Sequence, residues 1–186
     1  MNKYWQNSIT FDEYIKETER RIEVQNPEDD HNEYYELGLQ RMNRTLKTFK
    51  IDEEQLSVLK SKNFTGKILI ISEPWCGDAS ATVPAVTKFF EAANVEVKIF
   101  LKDSDHSLIE QFLTNGTQSI PKILILNEDF SVKNVWGPRP KFGNDLLKKF
   151  KENPETYPRE EFYNDLQVYY AKNRGKDAIE ELLELL

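Results

Sequence analysis

The stretch Glu73-Pro74-Trp75-Cys76-Gly77-Asp78-Ala79 holds the only cysteine of the 186-residue chain, and chemistry is best sought there. It follows an apolar, β-branched run, Lys67-Ile68-Leu69-Ile70-Ile71-Ser72, of the length of a buried strand. After it, Ala79, Val83, Val86, Phe89 and Phe90 recur at helical spacing. Cys76 is therefore expected where a strand hands over to a helix, in the helix's first turn. Unpaired backbone N–H groups and the positive end of the helix dipole lower a thiol's pKa at such a place. The expectation is a thiolate nucleophile at neutral pH.

The elements that position this cysteine follow from periodicity. Thr10 and Glu13 have capping-box spacing, and Phe11, Ile15, Thr18 and Ile22 follow at helical intervals, giving a helix from about 10 to 24. Tyr35, Leu39, Met42, Leu46 and Phe49 form the single apolar face of a second helix and are read as core packing. Asp52 and Gln55 open a short third one. A strand at 67–72, a helix at 76–92 and a strand at 95–101 make a right-handed βαβ unit. A helix led by Ser107 and Glu110, a hairpin of strands 121–127 and 130–136, and a helix from Asn144 follow. Asn153-Pro154-Glu155 and Tyr157-Pro158 read as a linker, beyond which two more helices are expected.

Trp-Cys-Gly at a strand-to-helix turn, with Pro84 eight residues after the cysteine, resembles the active site of the thioredoxin superfamily. Ser119-Ile120-Pro121, leading into Lys122-Ile123-Leu124-Ile125-Leu126, resembles the family's second landmark, an X-Pro pair held cis beside the active cysteine. The resemblance covers about residues 60 to 150. It is nearest to bacterial thioredoxin-like proteins with an N-terminal helical extension and a Trp-Cys-Gly-Asp-Ala motif. It implies an α/β thioredoxin-like fold, with a four-stranded mixed sheet flanked by helices and extra helices at both ends. Helix stands where a full thioredoxin begins with a strand. The implied organisation is a helical extension over 1–60, a thioredoxin-like core over 61–152 and a C-terminal helical extension over 153–186, in one compact unit.

The chain departs from the dithiol members of that family. Ala79 occupies the position of the resolving cysteine, and Ile70 that of the buried carboxylate in the preceding strand. The chemistry left open is monothiol: Cys76 attacks, and a second molecule's thiol resolves the mixed disulfide. Trp75, Gly77, Asp78, Ala79, Ile120 and Pro121 are the expected substrate-binding residues. The N–H groups of Gly77 to Ala79 would stabilise the thiolate, Trp75 would offer an apolar contact, and the Ile120-Pro121 edge would pair with an extended peptide. Gly137 would leave room beside that edge. Glu73 and Asp78 act in the other direction, because a negative neighbour raises a thiol's pKa. His31 and His106 are expected in solvent. Arg139 and Lys141 are expected to be solvated or to pair an anionic thiol substrate.

Composition bounds the partners. A net charge of −7 argues against nucleic acid and anionic membranes, and no apolar run approaches a membrane span. A single cysteine suits a reducing cytoplasm and excludes an internal disulfide. One Cys and two distant His make a zinc site within one chain unexpected. No cofactor is expected beyond glutathione or another low-molecular-weight thiol. Two functions fit: a monothiol-disulfide oxidoreductase acting on a small thiol or a protein disulfide, or a redox-inactive binding module recognising a peptide or protein at the Trp75/Ile120-Pro121 edge.

Overall fold

The computed structural model describes residues 1–186. Four helices come first: α1 (Asn2–Gln6), α2 (Phe11–Val24), α3 (Asn32–Thr48) and α4 (Glu53–Ser61). The strand β1 (Lys67–Ser72), the helix α5 (Gly77–Glu91) and the strand β2 (Val97–Leu101) form the βαβ unit. The hairpin β3 (Lys122–Leu126) and β4 (Val132–Trp136) follows, then α6 (Lys141–Glu152), α7 (Arg159–Asn173) and α8 (Lys176–Leu185). The sheet order is β2-β1-β3-β4. β1 runs parallel to β2 and antiparallel to β3, so the sheet is mixed, as expected. No helix is long and apolar enough to cross a membrane.

The central strands read as continuous apolar runs because both of their faces are covered. Ile68 to Ile71 and Ile123 to Leu126 are fully buried, each worth about 1.5–3 kcal/mol over exposure. The same core cluster takes in Tyr4 and Trp5 from α1 and Ile179 and Leu182 from α8. At the outer edge of β2, Ile9 and Ile99 exchange backbone hydrogen bonds of 2.9 and 2.8 Å. This isolated bridge is all the strand pairing the N-terminal segment makes.

The Thr10–Glu13 capping box is complete, with both reciprocal bonds present. The Asp52 box is half made. Asp52 accepts from the Glu54 and Gln55 N–H groups, but the Gln55 amide donates to the Lys176 carbonyl 121 residues away. Tertiary pairing has outcompeted the local bond. The helix expected from Ser107 is only a 3-10 turn at Ile109–Phe112. The segment turns back at Thr114, whose backbone exchanges hydrogen bonds with Thr117. Helix α6 starts three residues before the expected Asn144, because Glu181 of α8 accepts the Lys141 N–H at 2.7 Å. The expected linker packs down: Tyr157 is buried and donates to Asp165 at 2.8 Å. It belongs to a second, smaller cluster with Ala81, Phe162, Leu166 and Tyr170, which fixes α7 against α5.

Candidate functional site

β1 delivers the chain to a turn held from below by polar groups. Tyr14 of α2 and Ser72 share a buried hydrogen bond of 2.9 Å. The Glu73 carboxylate is fully buried; it accepts from Arg21 at 2.8 Å and from the Asp103 N–H at 2.7 Å. Burial raises the Glu73 pKa, and the Asp103 N–H and Arg21 oppose the rise. Helix α3 touches the turn at Gly38, where a Cβ would fall 2.6 Å from the Pro74 carbonyl oxygen. Only glycine allows that approach.

Trp75 lies across this frame. Its indole N–H donates to Asp103 at 2.9 Å, and its ring stacks on His31 with centroids 4.3 Å apart and planes 14° from parallel. His31 is thus part of the site, while its side chain stays partly exposed to solvent, as expected. No spacing rule connects residues 31 and 75, so sequence reading had no signal for the pair.

Cys76 is the N-cap of α5, at the strand-to-helix handover as expected. Its Sγ lies 3.4 Å from the Ile120 carbonyl oxygen, to which it donates, and the Ile120–Pro121 peptide is cis. Gly137 fits beside that edge: a Cβ there would fall 2.4 Å from the Pro121 oxygen. The expected activation of the thiol is reversed. Cys76 is only 8% exposed, and burial, reinforced by the Asp78 charge, pushes its pKa up to about 12. The Ala79 and Asp78 N–H groups and Arg139 pull it down, but more weakly. Helix-start amides stabilise a thiolate only in competition with the solvent it gives up.

Asp78 is itself buried, and its two oxygens are taken by Arg139 at 2.7 Å and the Tyr170 hydroxyl at 2.8 Å. Arg139 is therefore not a solvated cation; one of its terminal nitrogens is committed to Asp78. Burial raises the Asp78 pKa against the pull of Arg139 and Tyr170.

Above the thiol opens a cleft of about 750 Å³. Trp75, Cys76, Gly77, Asp78 and Ile120 line it, so five of the seven expected residues converge. Ala79 and Pro121 are buried behind that surface, Ala79 because its side chain turns into the core. The walls come from residues that periodicity assigned only to helices: Tyr34, Leu37 and Arg41 on α3, and Tyr163 and Gln167 on α7.

A thiol at a strand-to-helix turn, facing a cis-proline loop across a β2-β1-β3-β4 sheet, defines a thioredoxin-like protein with one cysteine. A family model described as Thioredoxin matches residues 24–151, and the chain belongs to that family. Among solved structures it is similar to a protein of unknown function, PA1234, from Pseudomonas aeruginosa. The two are 19% identical with a TM-score of 0.61, over 80% of this chain and 83% of that one. It is also similar to an HIV epitope-scaffold, at 19% identity and a TM-score of 0.58, over 81% and 82% of the two chains. These likenesses concern the fold. No curated protein matches the chain.

Proposed function

We propose that the protein is a thioredoxin-fold binding module that holds an extended peptide or protein segment in the cleft between Trp75 and the Ile120-Pro121 edge, without redox turnover. The carrying observation is the state of Cys76: buried against the Ile120 carbonyl, with a pKa pushed up to about 12 and alanine at the resolving position. A thiol with so high a pKa is almost wholly protonated at neutral pH, and the thiolate is the nucleophile. Binding needs neither ionisation nor a second cysteine. An extended ligand would take its main-chain hydrogen bonds from the loop before β3 and its side-chain contacts from Trp75 and the helical walls.

The test is to select heptapeptides on the wild-type protein and measure their affinity for Cys76→Ser. Affinity within about twofold supports binding without thiol chemistry. Loss of binding in that variant, together with a mixed disulfide formed at pH 7 on exposure to oxidised glutathione, would instead establish the monothiol oxidoreductase. One feature favours that second reading: the Ala79 and Asp78 N–H groups lower the Cys76 pKa, the pull an attacking thiolate needs.

A further inference from the structure

The cleft carries more positive charge than its own structure uses. Arg41 of α3 is half withdrawn from solvent, with no carboxylate partner and no hydrogen bond; burial and the nearby Arg44 lower its pKa, and distant Asp78 opposes them. One of its terminal nitrogens lies 3.4 Å from where a Cβ would stand on Gly77, at the start of α5. The Gln167 Nε2 comes within 3.9 Å of the same point, and the Gln167 Oε1 is buried without a partner. Arg139 uses a terminal nitrogen on Asp78, yet its Nε is buried and unpartnered. Asp78 is the only carboxylate in the lining, and it is already taken. In a chain of net charge −7, this concentration of guanidinium groups is not a reflection of composition.

A buried donor or acceptor left unsatisfied is destabilising, and such groups call for a partner. The groups at the Gly77 end define what that partner must offer. Arg41 and the first turn of α5 ask for an anion, and the planar guanidinium fork suits a carboxylate. The Gln167 side chain stands beside that position, and its Oε1, buried as the side chain now lies, can take up a donor there when the amide turns. A phosphate monoester dianion lacks the donor, and its second charge is repelled more strongly by Asp78.

We propose that the cleft binds a ligand ending in a carboxylate with an N–H beside it, the chemistry shared by a peptide C-terminus and an N-acylated amino acid. The carboxylate sits against Arg41 at the Gly77 end of the cleft, and the N–H donates to the Gln167 Oε1 once that side chain turns toward the cleft. This rests on reading the cleft as a binding site. The exposed Tyr34, Leu37 and Tyr163 then meet whatever precedes the carboxylate.

The test is an NMR titration of the full-length, 15N-labelled protein with three probes: N-acetylalanylalanine, its C-terminal amide, and N-acetylalanine. The expected result is that the dipeptide acid moves the Gly77 amide and Gln167 side-chain signals. Its amide should bind about tenfold more weakly or worse, and Arg41→Gln should bring the acid down to the affinity of the amide. Gln167→Leu, which leaves the charge in place, should weaken the acid about threefold while keeping its preference over the amide. Comparable binding of N-acetylalanine and the dipeptide would support the carboxylate and place the ligand among small N-acyl acids. Tighter binding of the dipeptide would support it and indicate a peptide end. Equal affinity for acid and amide overturns the carboxylate and leaves the cleft a binding site. No perturbation by any probe at millimolar concentration also overturns it; a Cys76 mixed disulfide formed from oxidised glutathione would in that case overturn the binding reading as well.

Discussion

Replacing Asp78 by asparagine should lower the pKa of Cys76 without exposing the sulfur. Asparagine keeps the shape and can still meet the Tyr170 hydroxyl, which now lies 2.8 Å from the carboxylate. What disappears is a negative charge two residues from the thiol. At an effective dielectric of about 20, unit charges about 5–8 Å apart interact by about 2–3 kcal/mol, or about two pKa units. Arg139, freed of its partner, adds to the stabilisation of a thiolate. The thiol should therefore fall from about 12 toward about 10, with burial holding the remainder. At pH 7 the thiolate population would rise about a hundredfold, but a less basic thiolate is a weaker nucleophile. With a Brønsted slope of about 0.4–0.5, alkylation should quicken about tenfold. The assay is the pH dependence of alkylation by iodoacetamide, with the thiolate ultraviolet absorbance as a readout independent of reagent access. The variant should also lose about 3 kcal/mol of stability, because Arg139 keeps its charge in a largely buried site. A Cys76 pKa that stays within about half a unit of wild type, or rises, would show that burial alone sets it.

Three further outcomes follow from the same geometry. The unfolded Cys76 thiol ionises near pH 9 and the folded one near pH 12, so the native state holds the extra proton between them. Stability should be intact below pH 9 and then fall by about 1.4 kcal/mol per pH unit relative to Cys76→Ser, read from urea midpoints of the two proteins. Arg21→Met leaves the fully buried Glu73 carboxylate without its 2.8 Å partner and should cost about 3–5 kcal/mol at neutral pH, less in acid where Glu73 is protonated; a cost unchanged with pH would refute the charge argument. Gly137→Ala meets a φ of +115° and a Cβ 2.4 Å from the Pro121 oxygen, so it should cost at least about 2 kcal/mol by denaturant titration.

The sheet was legible because its central strands are buried on both faces, which leaves an unbroken apolar run such as Lys67–Ser72. The place of Cys76 was legible for a related reason: the change of period from strand to helix falls on it. Its chemistry was not. The helix-start argument counts local N–H groups, whereas the pKa is decided by burial against Ile120, 44 residues away, and by a carboxylate whose own partners come from residues 139 and 170. Long-range pairing explains the other differences too. Arg139 reads as a solvated cation beside prolines, and His31 as a solvated side chain in an acidic loop, until Asp78 and Trp75 are brought to them. The early start of α6 depends on Glu181, which no local rule connects to Lys141.

The part of the site that departs most from an oxidoreductase is built by what surrounds the motif. The family match ends at residue 151, whereas the wall carrying Tyr163 and Gln167 belongs to α7, beyond it. Both walls are fastened to the Cys76 turn: α3 by the contact of Gly38 with Pro74, and α7 by the bond of Tyr170 to Asp78. A turn clamped on two sides presents a preformed cleft, and a preformed cleft spends less of its interaction energy on ordering when a ligand arrives. The Tyr170 bond also fixes Asp78, whose charge opposes the thiolate that disulfide exchange requires. Preorganisation of the cleft and the charge that opposes the thiolate thus share the α7 clamp. Loosening the α7 clamp to free Cys76 would also take down a wall of the cleft, so the proposed binding and disulfide exchange make opposite demands on the same turn.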